Sequence, residues 1–400
     1  MGMYKIRFYE DVTLPFRKSS DGYTDTCDAG RDWIASAAML AKLKGNEKIA
    51  SKLLKVSCID NFITNFSVTS PKKPAPSKNR LLFYNGSGGY GDNIMSWPIT
   101  RILAGLGYEV SVVADPGNQS CWYHFPWIKS VLVLPLQNDT FETFDHYLLF
   151  DSLVNTYEHS DVKHPVDVIL NKIGVEAEKV KPEMKVVQPV FTQGEMNALT
   201  QFGKSQLAIY QLTASDKTRS LPTNDSVFLL TKLAEEFPDY LWVAPFDPSR
   251  PEFLEMLTEE VLTLDGKPEL NERGEKKRKL KYKNIVPKFF QNLRELWAVS
   301  SQAKVVVSPD SMMVHVAGSM GVPCVGLWGT FSPESRVKYY KNHVPVYLKD
   351  ACRMSPCCCY TGKFPAYCPP AKDRTCCECL AAISPQHVID AINSFNKVKK

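Results

Sequence analysis

Hydrophobic and polar positions along this chain alternate between short β-branched runs and stretches with a helix period. The pattern is plainest across residues 305–330. Val305, Val306 and Val307 predict a buried strand that Ser308-Pro309-Asp310 brings to an end. From 312 to 320 the apolar residues Met313, Val316, Ala317 and Met320 return at helical spacing, and Gly321-Val322-Pro323 stops the run. Residues 324–328 predict a second buried strand, closing on Gly329-Thr330. The result is a strand–helix–strand unit with Asp310, Ser311 and His315 at the helix mouth. Free N–H groups and a partial positive charge make such a mouth suitable for a phosphate. The bland alternative is a plain crossover, with Asp310 capping the helix and His315 in a hydrogen-bonded core position.

The same rhythm predicts most of the remaining elements. Residues 81–85 and 109–114 are strands around a helix at 92–106 that Pro98 kinks. Apolar runs continue through 130–150, and 166–173 is a short helix. The charged, proline-flanked stretch 179–189 is the crossing into a second domain. Beyond it lie a strand at 207–212, a helix at 227–237, a strand at 241–244 and a helix at 292–301. A closing helix spans 384–395, with Pro385 in its first turn. The first 69 residues are less regular: a strand at 6–9, an amphipathic helix at 32–43 and a strand at 58–68. Three prolines and three lysines in 70–79 predict an exposed linker. Alternating strands and helices of this kind predict a doubly wound α/β fold.

Composition narrows the class. Four hundred residues with 44% apolar content can fill two cores. No stretch approaches the ~18 apolar residues of a membrane span, and the first residues lack the apolar core of a signal peptide. A cytoplasmic enzyme is therefore expected. A net charge of +5 permits an anionic substrate without demanding one. Eight of the twelve cysteines fall between Cys352 and Cys379, which points to one local site, not a disulfide framework.

The loop after the strand at 81–85 reads Gly86-x-Gly88-x-x-Gly91, and an acid, Asp115, follows 24 positions later. That is the spacing of a dinucleotide fingerprint, so an NAD-dependent dehydrogenase is a rival reading. A nicotinamide enzyme would leave the separate Asp310–Gly329 unit unexplained.

Both stretches are accounted for together by a resemblance. Asp310-Ser311-Met312-Met313-Val314-His315-Val316-Ala317, then Gly321-Val322-Pro323 and Gly326-Leu327-Trp328-Gly329, resembles the signature of the heptosyltransferases, glycosyltransferase family 9. Met312 stands where the family usually has glycine. Gly91-Asp92 with Pro98 six residues on is similar to the family's opening loop and helix. The resemblance implies the GT-B architecture, two Rossmann-like domains facing a cleft, with Gly89 and Gly91 in the cleft loop. It passes the role of general base to Asp92, whose bland role would be to cap its helix. The loop 213–222 resembles one in which a basic residue ahead of an aromatic-Pro pair contacts donor phosphate. Leu221-Pro222 stands for that pair, Lys217 or Arg219 is the cation, and register favours Arg219. Asp310, Ser311, Met312 and His315 complete the implied donor site. Phe246-Asp247, at a strand end, is where base or ribose would lie.

Two further stretches carry candidate chemistry. Cys379-Leu380-Ala381-Ala382-Ile383-Ser384-Pro385 resembles the family's ending before its last helix. Cys352, Cys357, Cys368 and Cys379 are the set proposed to hold a structural zinc or iron, since four thiolates leave no open catalytic position. Lys276-Lys277-Arg278-Lys279 reads as a solvated hairpin, or more sharply as a contact for a phosphate-rich acceptor such as DNA.

The expected domains are 1–79 (extension and linker), 80–185 (acceptor side), 186–383 (nucleotide-sugar side, with the Cys-rich loop 352–379) and a C-terminal helix, 384–400. The implied activity is inverting transfer of a sugar from a nucleotide-diphosphate sugar, ADP-heptose-like, to a hydroxyl on lipopolysaccharide, protein or a modified DNA base. It needs no catalytic cofactor, and the absence of any Asp-x-Asp triad agrees with a metal-free donor site. Two more rivals share the nucleotide-sugar ligand: an epimerase of similar architecture, which needs no acceptor, and a non-catalytic binding protein, which turns nothing over.

Overall fold

The computed structural model describes residues 3–14, 26–58, 78–86, 89–150, 163–215, 217–261, 263, 267–270, 272, 277–352, 355–357 and 377–397. The chain divides into two compact units, Met1–Val190 and Phe191–Lys400.

In the first unit, β1 (Met3–Phe8), β2 (Asp32–Ser36) and β3 (Leu53–Cys58) form antiparallel pairs in the order β3-β1-β2. The helix expected at 32–43 is thus a strand for its first five residues, and α1 begins only at Ala37 (Ala37–Gly45). Tertiary burial overrides periodicity here. Trp33, Ile34 and Ala35 are almost wholly enclosed, and each large side chain so buried is worth roughly 1.5–3 kcal/mol, against tenths per residue for helix propensity. Ser36 then caps α1, its side chain accepting from the Met39 amide. Only the first residue of the strand expected at 58–68 is described, at the end of β3; the rest lies outside the described residues.

The parallel sheet of this unit has β4 (Arg80–Asn85), β5 (Glu109–Ala114), β6 (Ile128–Val133) and β8 (His146–Phe150) in the order β8-β4-β5-β6. Between β6 and β8 the short β7 (Leu136–Gln137) leaves this sheet and pairs with β2. The N-terminal strands are therefore built into the first unit and share one core with it, including Trp33, Leu82, Tyr84 and Val113. Helix α2 (Tyr90–Gly105) follows β4. It carries Pro98 internally and buries Ile94, Trp97 and Ile99. The short helix α3 (Pro165–Lys172) lies later in the same unit.

The second unit is built on a six-stranded parallel sheet. Its strands are β9 (Gln206–Tyr210), β10 (Tyr240–Pro245), β13 (Ile285–Lys288), β14 (Val305–Pro309), β15 (Cys324–Trp328) and β16 (His343–Tyr347), ordered β13-β10-β9-β14-β15-β16. An antiparallel ribbon, β11 (Thr258–Glu260) with β12 (Arg278–Leu280), interrupts the path from β10 to β13. Every residue of β14 and β15 is buried, as a sheet covered on both faces requires. Helix α6 (Met312–Met320) has the bounds that its apolar spacing predicts, and Gly321 ends it in the left-handed region at φ 70°. The helices α4 (Thr223–Glu236), α5 (Leu293–Ser300) and α7 (Pro385–Lys397) belong to the same unit; α4 and α7 supply Leu230, Leu233, Val388 and Ile392 to its core. Arg294 of α5 is almost fully buried, paired with Glu195 at 2.5 Å and lying over the rings of Phe191 and Trp297.

Candidate active site

In the second unit the chain runs from β9 outward to β10 and β13, then returns to β14 on the other side of β9. Two neighbouring strands whose connections leave in opposite directions open a crevice at their carboxyl ends, where α/β proteins bind ligands. The loops after β9 and β14 meet at this point. From the first loop, the Arg219 guanidinium donates to the Asp310 carbonyl at 3.2 Å and lies 3.7 Å from its carboxylate; another nitrogen donates to Ser215 Oγ at 2.8 Å. Both Arg219 and Asp310 side chains are largely buried. Lys217 begins the same short turn, but its side chain lies outside the described residues.

Ser311 is the N-cap of α6. Its hydroxyl accepts from the Met313 amide at 3.3 Å and shares a 2.9 Å hydrogen bond with Ser308 Oγ. The Met312 amide is the first of the helix and has no carbonyl within it to reach. The Met312 thioether accepts from the Trp297 indole N–H at 3.4 Å, so this residue, unusual for the motif, is anchored to α5. One turn into α6, His315 is 4% exposed, and its Nδ1 lies 3.2 Å from the Tyr340 hydroxyl. The structure thus gathers Arg219, Asp310, Ser311, Met312 and His315 within one unit.

The parallel sheet of the first unit has its own switch point, between β4 and β8. Gly89 is the N-cap of α2, and Gly91 and Asp92 lie in its first turn. The Asp92 carboxylate folds back over Gly89, where an added Cβ would stand only 2.8 Å from Asp92 Oδ2. A side chain at 89 would make the carboxylate shift from this position. Beside it, Asn93 accepts from the Trp122 indole at 3.2 Å and donates to the Gly89 carbonyl at 2.9 Å, stiffening the helix start. Asp115, which a dinucleotide enzyme would turn toward ribose, has both oxygens engaged otherwise. One accepts from Ser36 at 2.7 Å, the other from the Tyr84 hydroxyl at 2.9 Å. The dehydrogenase reading loses its ribose ligand to Ser36 of β2 and Tyr84 of β4.

Of the four cysteines proposed for a metal, Cys368 lies outside the described residues. Cys352 and Cys379 are buried and Cys357 is half-buried, but among the described residues no three candidate ligands converge on one point. The structure pairs Cys379 instead with Cys377, a cysteine outside that set, at 3.5 Å between sulfurs. That hydrogen bond chiefly lowers the Cys379 thiol to about 7, against the opposing effect of burial. Two thiolates bonded to one tetrahedral ion at ~2.3 Å stand roughly 3.8 Å apart, so the pair suits zinc or iron as two of its ligands.

The basic run leads into β12, and each of its described cations meets a glutamate. Lys277 pairs with Glu269, Arg278 with Glu260 at 3.9 Å, and Lys279 with Glu259 at 3.1 Å. This is a solvated ribbon with cross-strand ion pairs. At the ends of the adjacent strands β10 and β13, Phe246 and Phe289 bring their rings within 6.4 Å. Asp247 is turned into its own loop, accepting from the Ser249 amide.

A parallel sheet with a ligand-ready switch point, built twice in one chain, is the plan of the GT-B glycosyltransferases. Residues 260–367 match glycosyltransferase family 9 (heptosyltransferase). This match covers the stretch that carries the second of the two motifs and agrees with the resemblance drawn from them. No curated protein matches the chain. Among solved structures it is similar to the E. coli ADP-heptose LPS heptosyltransferase II, at 17% identity and a TM-score of 0.55 over 79% of this chain and 98% of the other. A family 9 glycosyl transferase from Veillonella parvula aligns at 14% identity and a TM-score of 0.56, over 83% and 99%. The iron-containing dodecameric glycosyltransferase TibC from enterotoxigenic E. coli aligns at 12% identity and a TM-score of 0.53, over 100% of this chain and 92% of its own. Among the described residues no helix is long and apolar enough to cross a membrane.

Proposed function

We propose that this chain transfers a sugar from an ADP-heptose-like donor to an acceptor hydroxyl with inversion, the second unit holding the donor and Asp92 acting as base. The observation that carries this reading is the Arg219–Asp310 contact, which fixes a guanidinium at the carboxyl ends of β9 and β14 beside the first turn of α6. A planar cation and free helix amides together match a diphosphate better than either alone. The E. coli heptosyltransferase II is named for ADP-heptose, which supports that donor class here. The Phe246–Phe289 pair offers an aromatic face for the base.

In the proposed step the acceptor oxygen attacks the anomeric carbon as the carbon–oxygen bond to the diphosphate breaks. The acceptor proton passes to the Asp92 carboxylate. Charge appearing on the leaving diphosphate is offset by Arg219 and Lys217, the α6 N-terminus and His315. One displacement inverts the anomeric centre. Cys377 and Cys379 belong to a structural site, with further thiolates of the C-terminal segment, for a zinc or iron ion that would fasten that segment to the second unit. The name of the iron-containing TibC supports iron.

The test is nucleoside diphosphate release from a panel of ADP-, UDP- and GDP-sugars, with lipopolysaccharide core, protein and DNA as separate acceptors. ADP-heptose is expected to be consumed only with an acceptor, and Asp92→Asn to stop it. Conversion of donor with no acceptor present would favour an epimerase and sink the proposal. Metal analysis of the purified chain should find zinc or iron that Cys379→Ser loses; a metal-free wild type would remove the structural site.

A further inference from the structure

We infer that Tyr340 is a positioning residue that holds His315 neutral, with its proton on Nε2, for its contact with the donor diphosphate; this rests on the donor-site reading of His315. Tyr340 follows the short helix Glu334–Val337 and is held by its own amide, which donates to the Val337 carbonyl. Its ring lies flat on α6 at Gly318, where an added Cβ would come within 2.3 Å of two ring carbons. No residue with a side chain fits at 318 without displacing the ring, and 318 is three residues along the helix from 315, on the same face. The glycine therefore sets the phenol at the height of the imidazole, with the two rings edge-on and 6.0 Å apart between centroids.

The direction of the hydrogen bond follows from counting donors and acceptors. Among the described residues the Tyr340 hydroxyl has one hydrogen-bond partner, Nδ1 of His315, at 3.2 Å. A phenol proton enclosed in protein needs an acceptor. Were Nδ1 protonated, the hydroxyl would accept from it and its own proton would be stranded. Burial also holds the phenol well above its ordinary pKa, so it stays a donor throughout the neutral range. Nδ1 is then the acceptor and the ring proton sits on Nε2. A charged imidazolium is further disfavoured by the partial positive charge of the α6 N-terminus, one turn away. His315 thus meets an anion as a neutral donor of fixed orientation, and Arg219 supplies the full charge.

Selective nitrogen-15 labelling of histidine tests this without turnover, with the His315 signals assigned by their loss in His315→Gln. The wild type should show a protonated Nε2 and an unprotonated Nδ1 through neutral pH. Tyr340→Phe keeps the ring on Gly318 and removes only the hydroxyl; it should mix the two tautomers and weaken ADP binding about tenfold. A wild-type signal with the proton on Nδ1, or a variant with unchanged tautomer and affinity, overturns the inference. A wild type with the expected tautomer that fails to bind ADP overturns instead the donor-site reading on which it rests.

Discussion

The two switch points of this molecule are made of the same parts and finished differently. In the second unit the crevice between β9 and β14 is lined by side chains that hold one another: Arg219 on Asp310 and Ser215, Ser311 on Ser308, Met312 on Trp297, His315 on Tyr340. In the first unit, the described residues of the crevice beside β4 include glycines and the Asp92 carboxylate, folded over Gly89 in the first turn of α2. A pre-organised guanidinium and helix amides suit tight recognition of a leaving diphosphate. A carboxylate at a glycine-containing helix start suits a group that must take one proton from an acceptor. On the proposed reading, binding falls to one unit and proton transfer to the other.

That assignment can be broken from either side. The largest effect is expected at Asp92: exchange for Asn should lower turnover by about 10²–10⁴-fold, the usual worth of a general base, without weakening ADP binding. Steady-state rates and a titration on the same preparation read both. At Arg219, exchange for Ala removes a charge-assisted contact and leaves the buried Asp310 carboxylate without that cation. ADP affinity should fall by about 10–100-fold, with Lys restoring only part of it. The smallest effect concerns stability. His343 of β16 is half-buried, and burial pushes its pKa down to about 4. The unfolded chain takes up a proton near pH 6.5 that the folded chain refuses until about pH 4, so stability falls as pH drops through this window. The loss should be about 1–2 kcal/mol at pH 5 relative to pH 8. His343→Gln should flatten the pH dependence of the melting temperature; an unchanged slope would place the acid sensitivity elsewhere.

How far the sequence can be read also differs between regions. Periodicity sets the bounds of α6 and of β15 because both are enclosed and stopped by local signals, Ser311 before the helix and Gly321-Val322-Pro323 after it. The stretch 32–43 misleads because Trp33, Ile34 and Ala35 take their conformation from pairing with β1 and β7, which no local window contains. The motif residues of the loops after β9 and β14 are legible and come together. Tyr340, Ser215 and Trp297 are not, since their roles depend on contacts across the fold. The one local hint for Tyr340 is Gly318, a glycine inside a helix with a close neighbour to accommodate. By spacing Asp115 is half of a dinucleotide fingerprint, and only the fold shows Ser36 and Tyr84 occupying it. Cys377 escapes the proposed ligand set because spacing among so many cysteines does not say which sulfurs meet.

The division of labour is tested most directly by titrating ADP into the wild type, Asp92→Asn and Arg219→Ala side by side by calorimetry. The account predicts wild-type affinity in Asp92→Asn, despite its lost turnover, and affinity weaker by about 10–100-fold in Arg219→Ala. Loss of ADP binding in Asp92→Asn, with Arg219→Ala unaffected, would contradict it and move the nucleotide to the first unit.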